Sequence, residues 1–234
     1  MMEALMIRKK RISGEARKVQ ILRSALPLFA KGGLSGTTTR ELSNAAGVSE
    51  ALIYKHFPSK ESLYEEIQVF CLNKARVNND ILLGLDANTE NLMKCIYFAV
   101  YTVLNQEMVQ EDMDDSDFHR LVVYSLLEDG EFAFSFLNKT CQIWREKIEE
   151  CTIAARELGD ITISHKSTTI FPWLVQHLIN CYAYKQLSEK QLVDYGISDM
   201  MVLIDEFSLF ALRGMGINEA AIDRYFHPEK LLEF

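Results

Sequence analysis

The chain has 234 residues, of which 48% are hydrophobic and 25% are charged, with 4 prolines and 11 glycines. This length allows one large or two modest domains with a buried core, and the composition excludes disordered, collagen-like and low-complexity chains. The longest strongly apolar stretch, Cys95 to Leu104, is about half of what a membrane-spanning helix needs. No secretory signal is expected, because the N-terminus lacks an apolar run of secretory length before its charges. The five cysteines lack CxxC spacing. We therefore expect a cytoplasmic, soluble protein without a disulfide framework or metal module.

Charge is distributed unevenly along the chain. Residues 1–60 carry eleven lysines and arginines against four acids, a net charge of +7, although the whole chain has a net charge of −8. A basic head on an acidic body favours an anionic partner, for which nucleic acid is the obvious candidate; a solvated charged face is the alternative. The run Arg8 to Arg11 suits a DNA backbone or minor groove. A disordered solubilising tail would explain the same run.

The apolar residues recur with a period close to 3.6 almost throughout, which predicts an all-α fold. Gly32-Gly33 is expected to end the first helix, and Pro27 to bend it. Thr38 to Glu41 forms a capping-box sequence at the start of the second helix. The predicted helices are 15–31, 39–46, 49–56, one from Ser59 to about Lys74, 89–108, 116–128, 131–158, 168–186, 197–213 and 218–225.

The second and third predicted helices fit a helix-turn-helix, in which Gly47 supplies the tight turn. Outward side chains of a recognition helix read base edges in the major groove, and here these are Glu50, Ala51, Tyr54 and Lys55. An ordinary helical hairpin is the alternative. The side chains expected to face the first helix are Leu42, Ala45, Val48, Ile53 and Phe57.

The stretch from Thr37 to Leu63, TTTRELSNAAGVSEALIYKHFPSKESL, resembles the DNA-binding head of TetR-family transcriptional regulators. Upstream, ALPLFAKGG at 25–33 resembles the end of that family's first helix, although Pro27 departs from the usual pattern. The resemblance implies an N-terminal three-helix helix-turn-helix head and a C-terminal helical body that binds a ligand and dimerises. The domains expected from it are a basic flexible arm at 1–14, the DNA-binding domain at 15–62 and the body at 63–234.

The resemblance also implies DNA contacts, residue by residue. Arg40 sits where family members reach bases or backbone. Tyr54, His56 and Lys60 hold phosphate-contacting positions. Glu50 holds a base-reading position, where a carboxylate accepts from cytosine or repels guanine-rich sites. The alternative for His56 is a packing or capping role against the first helix, without a contact to DNA. The predicted DNA-binding residues are Thr39, Arg40, Ser49, Glu50, Ala51, Tyr54, Lys55, His56 and Lys60.

The two predicted helices at 168–186 and 197–213 are apolar around much of their circumference, which favours burial on several sides. The resemblance implies a homodimer through these helices, reading a palindromic operator in double-stranded DNA. Purely internal burial of both helices is the alternative.

The resemblance further implies an effector cavity among the middle helices, whose occupancy lowers the affinity for DNA. Aromatic residues with few basic neighbours favour a small apolar or cationic effector. Each candidate also fits a plain core role. The candidates are Tyr97, Tyr101, Tyr124, Phe134, Trp144, Trp173 and His177.

Nothing in the sequence favours an enzyme, a resident cofactor or a metal site. The chain has no GxSxG, HExxH, GxxxxGK[ST] or GxGxxG motif. His177 and Cys181 share a helix face, but two ligands do not make a metal site. We therefore expect a ligand-responsive dimeric regulator, more specifically a repressor. The alternative is an architectural or cell-cycle DNA-binding protein on the same fold, controlled by a protein partner.

Overall fold

A computed structural model describes residues 13–75, 82–109, 113–162 and 168–233. These parts form helices, with a single isolated antiparallel bridge between Ile161 and Ile217. The all-α prediction is therefore confirmed. Within the described ranges, no helix combines the length and hydropathy needed to cross a bilayer. The predicted basic arm, including Arg8 to Arg11, lies outside the described residues apart from its last two positions.

The chain divides into two units, one ending at Phe70 and the other beginning at Cys71. The helices up to this boundary are α1 (Gly14–Gly36), α2 (Thr39–Ala46), α3 (Glu50–His56) and α4 (Lys60–Lys74), which extends past it. The others are α5 (Thr89–Leu104), α6 (Asp115–Leu127), α7 (Glu131–Ser135), a π-helical turn (Phe136–Thr140), α8 (Gln142–Glu157), α9 (Ile170–Lys185), α10 (Met200–Gly214), α11 (Glu219–Tyr225) and α12 (Pro228–Leu231).

The prediction that Gly32-Gly33 ends the first helix is confirmed only in part, because α1 is interrupted at Gly33 but continues to Gly36. Gly33 lies within α1 but has φ 63° and ψ −172°, a conformation that glycine adopts without a steric penalty. The Thr37 hydroxyl donates to the Gly33 carbonyl over 2.9 Å, which satisfies one of the carbonyls exposed by the break. The helix therefore ends where the chain must turn toward α2.

A buried apolar core joins the helices of the first unit. Of the side chains expected to face α1, Leu42, Ile53 and Phe57 are buried, whereas Val48 is half-buried. The prediction for Ala45 is wrong, because this residue is exposed. The buried stripe of α2 consists of Leu42, Ser43 and Ala46, and at about 100° of rotation per residue Ala45 falls outside it. Ala46 takes the predicted place.

Helix α5 is the centre of the second unit and packs against α8, α9 and α10. Helix α5 also makes hydrogen bonds with two of these neighbours, α10 and α8. The buried Tyr97 hydroxyl donates to Asp205 Oδ1 of α10 over 3.0 Å, and the Trp144 indole of α8 donates to the Cys95 carbonyl over 3.3 Å. These bonds satisfy polar groups that burial would otherwise leave unpaired.

The prediction of one helix over 131–158 is wrong, since the segment contains α7, the π-helical turn and α8. Phe132 and Phe136 both pack edge-on against Phe118, with ring centroids 5.8 and 4.9 Å away. The Cys141 amide donates to the Phe136 carbonyl, five residues back, over 3.1 Å. A hydrogen bond that spans five residues, where an α-helix spans four, rotates the residues that follow it. The spacing of apolar residues in the sequence does not show such a change.

His119 of α6 is buried against aromatic rings. Its Nδ1 lies 2.8 Å from the Asp115 carbonyl oxygen, and its ring lies 5.6 Å from Phe118 and 6.2 Å from Tyr184. Burial lowers the pKa of His119 below its usual 6.5, because the charged ring is poorly solvated there.

We therefore expect the free energy of unfolding to fall as the pH drops below about 6.5, since unfolded His119 takes up a proton that the folded chain excludes. Urea unfolding at pH 7.5 and 5.5 measures this change, which His119→Gln should reduce. Burial also raises the pKa of Asp115, which makes the free energy of unfolding rise as the pH drops. The parent protein and His119→Gln share this opposing effect. His227→Gln, at an exposed histidine, is the matched control. Equal pH dependence in all three proteins would contradict the prediction.

Candidate functional site

The turn between α2 and α3 is built by one glycine. Gly47 adopts the left-handed conformation, with φ 63° and ψ 37°, which costs a side-chain-bearing residue about 1–2 kcal/mol. The Gly47 amide donates to the Asn44 carbonyl over 3.2 Å, and the Val48 amide to the Ser43 carbonyl over 3.0 Å. Because these bonds hold the turn, α3 leaves it in a fixed direction.

Helix α3 presents one apolar and one open face. Ile53 is buried on the inner face, whereas the four side chains predicted to point outward are all exposed. Tyr54 has 47% of its surface accessible, although its ring is large and apolar. The four exposed residues are Glu50, Ala51, Tyr54 and Lys55. Their exposure leaves a helix face free to enter a groove.

Two of the predicted DNA-contacting side chains meet across the helix-turn-helix. The Tyr54 hydroxyl of α3 lies 3.1 Å from Thr39 Oγ1, at the first residue of α2. The Lys60 ammonium donates to the Thr37 carbonyl over 2.9 Å, just before the same helix. The N-terminal end of α2 therefore gathers two hydroxyls and a positive charge, a combination that suits a phosphate.

The remaining predicted residues lie around this end and along α3. Ser49 is exposed and caps α3, because its hydroxyl accepts from the Leu52 amide over 3.2 Å. His56 is half-buried, with its ring 6.3 Å from that of Phe57, while Arg40 is exposed on α2. All nine predicted DNA-binding residues therefore keep solvent-accessible surface, and their contacts with DNA remain a prediction.

The second unit contains a cavity of about 100 Å³ between α5, the π-helical turn, α8 and α9. Most of its wall is apolar, including Phe98, Phe136 and Trp144. Three buried polar side chains also line it: Thr140, Gln176 and Asn180. Their atoms Oγ1, Oε1 and Oδ1 have no hydrogen-bond partner in the described parts of the chain.

The sequence analysis missed these three polar residues. Gln176 and Asn180 stand one helical turn apart in a helix that is otherwise rich in apolar residues, and that contrast is a signal the sequence contains. Thr140 gives no comparable signal, because the π-helical turn that buries it is not visible in the apolar pattern.

The structure does not bring the seven predicted cavity residues together. Trp144 lines the cavity. Tyr97 is instead tied to Asp205, and the Tyr101 hydroxyl accepts from Asn105 Nδ2 over 3.2 Å near the end of α5.

The other four candidates lie elsewhere on the second unit. Tyr124 is half-buried on α6, and Phe134 of α7 is 56% exposed. The Trp173 ring lies 4.1 Å beneath the Arg145 guanidinium carbon, and His177 is exposed. Within the described ranges, no three His, Cys, Asp or Glu side chains form a group that fits a metal ion.

A second, open concavity of about 390 Å³ runs between α9 and α10, and we call it the α9–α10 groove. Its wall is strongly apolar, and Leu174 and Phe210 within it are 52% and 69% exposed. His177 and Cys181 also line it. Large exposed apolar surfaces mark interaction sites more often than scattered single residues do.

Residues 21–67, which hold the helix-turn-helix and most of its supporting core, match the family model of bacterial regulatory proteins of the tetR family. The DNA-binding unit of the chain belongs to the TetR family. The match identifies the chain as a DNA-binding transcriptional regulator. The resemblance noted from the sequence is confirmed.

Two curated relatives illustrate how similarity is distributed. The HTH-type transcriptional repressor KstR2 of Rhodococcus jostii is 29% identical over 157 residues, which is 54% of this chain and 77% of the relative. The nucleoid occlusion factor SlmA of Salmonella paratyphi B is 30% identical over 93 residues, 39% of this chain. The chain spans about half the length, 47%, of that second relative.

Solved structures share the fold over most of the chain. A bacterial regulatory protein of the tetR family from Rhodococcus has a TM-score of 0.63 and 17% identity, covering 88% of this chain and 100% of its own. AibR, solved in complex with isovaleryl coenzyme A and operator DNA, has a TM-score of 0.59 and 17% identity, covering 83% and 97%. At these identities the likeness establishes the fold alone.

Proposed function

We propose that the protein is a ligand-responsive repressor that binds a palindromic operator as a homodimer. The observation that carries the proposal is the free outer face of α3, held by the Gly47 turn on a well-packed core. An exposed tyrosine on a helix that is firmly fixed on its other side suits a major-groove contact. Relatives named as regulators support the same function, and KstR2 is named a repressor.

In this proposal, one group of side chains contacts a DNA phosphate and another contacts base edges. Thr39, Tyr54 and Lys60, which converge on the N-terminal end of α2, hold a phosphate. Arg40 and Glu50, both exposed, face base edges and supply sequence preference. Phosphate contacts position the helix, and base contacts then select the sequence.

Lys60→Ala should weaken binding to all DNA and lower the slope of log affinity against log salt by about one for each protomer, because one phosphate contact is lost. Fluorescence anisotropy from low to moderate salt, on operator and random duplexes, measures this slope. Lys60→Gln separates charge from structure, since it keeps a donor for the Thr37 carbonyl. Exposed Lys190→Ala is the distant control. A slope unchanged in both Lys60 variants would restrict this residue to its bond with Thr37.

The homodimer is supported by the α9–α10 groove. Leu174 and Phe210 would lose their exposed apolar surface against the same groove of a second copy, and burial of such surface stabilises by about 25 cal/mol per Å². A twofold dimer presents two α3 helices with the same symmetry as a palindrome. Exposed apolar residues of the two helices are Ile170, Leu174, Met200, Met201, Val202 and Phe210.

Ligand control is supported by the cavity in the second unit, because three residues that line it have buried oxygens without a hydrogen bond. AibR shows that a protein of this fold was crystallised with both a ligand and operator DNA. By linkage, a ligand that binds better to the DNA-free protein must lower the affinity for the operator by the same factor.

Selection of bound genomic DNA with purified protein, repeated with a crude metabolite extract, tests the function. We expect one palindromic motif at one or a few promoters, with occupancy that falls when extract is added. Occupancy at a single motif that no extract changes would contradict ligand control while leaving operator binding in place.

The second candidate function is an architectural or cell-cycle DNA-binding role controlled by a protein partner. The observation that favours it is the 30% identity to nucleoid occlusion factors over 93 residues. In the same selection, many sites across the chromosome, indifferent to extract, would support this candidate and contradict the repressor.

A further inference from the structure

We propose that the cavity in the second unit binds a small neutral molecule with an apolar body and a hydrogen-bond-donating group, an aliphatic alcohol being the simplest example. This inference rests on the proposed ligand control, and it names the class of molecule that the cavity takes. The cavity lies between α5, the π-helical turn, α8 and α9.

The first observation is a set of polar atoms without partners. Thr140, Gln176 and Asn180 have 5%, 3% and 6% of their surface exposed, and one oxygen of each lacks a hydrogen bond in the described parts of the chain. Buried polar atoms are nearly always paired, because an unpaired one gives up its bond to water without replacement. All three oxygens belong to residues that line one cavity, and a ligand group that enters between these side chains would be their missing partner.

The second observation concerns which partner these atoms need. The Gln176 and Asn180 oxygens are acceptors, and the Thr140 hydroxyl can accept as well as donate. Two donors of the wall are already engaged, since the Trp144 indole donates to the Cys95 carbonyl and the Thr102 hydroxyl to that of Phe98. A ligand that supplies a donor would pair with the free amide oxygens.

The third observation concerns charge. The described residues that line the cavity include no Asp, Glu, Lys, Arg or His. An ion in this space would leave water without an opposite charge to replace it, which is far more costly than burying a neutral hydroxyl. The described part of the lining thus favours a neutral ligand.

Size sets the remaining limit. The cavity measures about 100 Å³, and an engineered apolar cavity of about 150 Å³ in another protein admits benzene. The buried part of the ligand should therefore have about six non-hydrogen atoms or fewer. The π-helical turn that carries Phe136 and Thr140 forms one side of this space, and such irregular turns are frequent at functional sites.

Three probes of one shape test the proposal on the full chain: cyclopentanol, fluorocyclopentane and cyclopentylammonium. Titration calorimetry, with tryptophan fluorescence as a second readout, measures each affinity. We expect cyclopentanol to bind about three- to tenfold more tightly than fluorocyclopentane, which has no donor, and the ammonium ion to bind more weakly than both. Equal affinity for the two neutral probes, or tighter binding of the ammonium ion, would overturn the proposal.

Two isosteric variants separate a ligand site from a purely structural water site. Thr140→Val and Asn180→Leu remove unpaired oxygens, so we expect the ligand-free variants to melt at the same or a higher temperature. The preference for cyclopentanol over fluorocyclopentane should shrink in both. Thr162→Val, at an exposed threonine away from the cavity, is the matched control. A lower melting temperature with an unchanged preference would assign these oxygens to bound water and overturn the proposal.

DNA binding is measured separately, so that the two proposals can fail independently. Selective binding of cyclopentanol without any change in operator affinity would support the cavity chemistry and contradict ligand control. Release of the operator by some other compound, with no preference between the neutral probes, would support ligand control and overturn the cavity chemistry.

Discussion

Phe210→Glu should convert the proposed homodimer into a monomer and lower operator affinity by at least about 100-fold. The side chain is 69% exposed on the apolar α9–α10 groove. In a dimer it would be buried against the partner, where a carboxylate finds no compensating charge. Loss of the second half-site contact then removes a gain in avidity of about 10²- to 10⁴-fold.

Sedimentation velocity and an operator binding titration on the same sample measure the two effects. Phe134→Glu is a close control, because Phe134 is also a phenylalanine of the second unit and is 56% exposed on α7, outside the groove. It should remain dimeric and bind operator normally. If both variants sediment as the parent does, the α9–α10 groove is not the dimer interface.

The DNA-binding head could be predicted closely because its determinants are local. The Thr38 and Glu41 side chains exchange hydrogen bonds with each other's backbone amides within one turn, and Gly47 adopts the conformation that the turn requires. Caps and glycine turns depend on residues only a few positions apart, so sequence shows them directly. Ala45 was misplaced because Ala45 and Ala46 both fit the spacing from Leu42, and only packing chooses between them.

The cavity of the second unit could not be predicted to the same degree, because it depends on contacts between distant helices. Trp144 lines it, yet Tyr97, equally aromatic, is engaged with Asp205 more than 100 positions away. The polar residues of the cavity lining are small or medium-sized and buried, whereas the sequence pattern pointed to aromatic residues. Their burial follows partly from the π-helical turn, whose hydrogen bonding apolar spacing does not encode.

The second large effect is expected on sequence selection. Arg40→Ala should cost about 1–3 kcal/mol of operator binding for each half-site and relax the preference at one base position, if the guanidinium reads a base edge. Arg40 is exposed on α2, one residue after Thr39, whose hydroxyl lies 3.1 Å from that of Tyr54.

Competition between operator and random duplexes measures the effect, because a base contact contributes to one and a backbone contact to both. Arg40→Lys is the informative partner variant: it keeps the charge but loses the planar pair of donors that binds guanine in a bidentate manner. We expect the lysine variant to retain binding to random DNA while losing operator preference. Equal losses on both duplexes in Arg40→Ala, restored by lysine, would make this residue a backbone contact and leave base selection to α3.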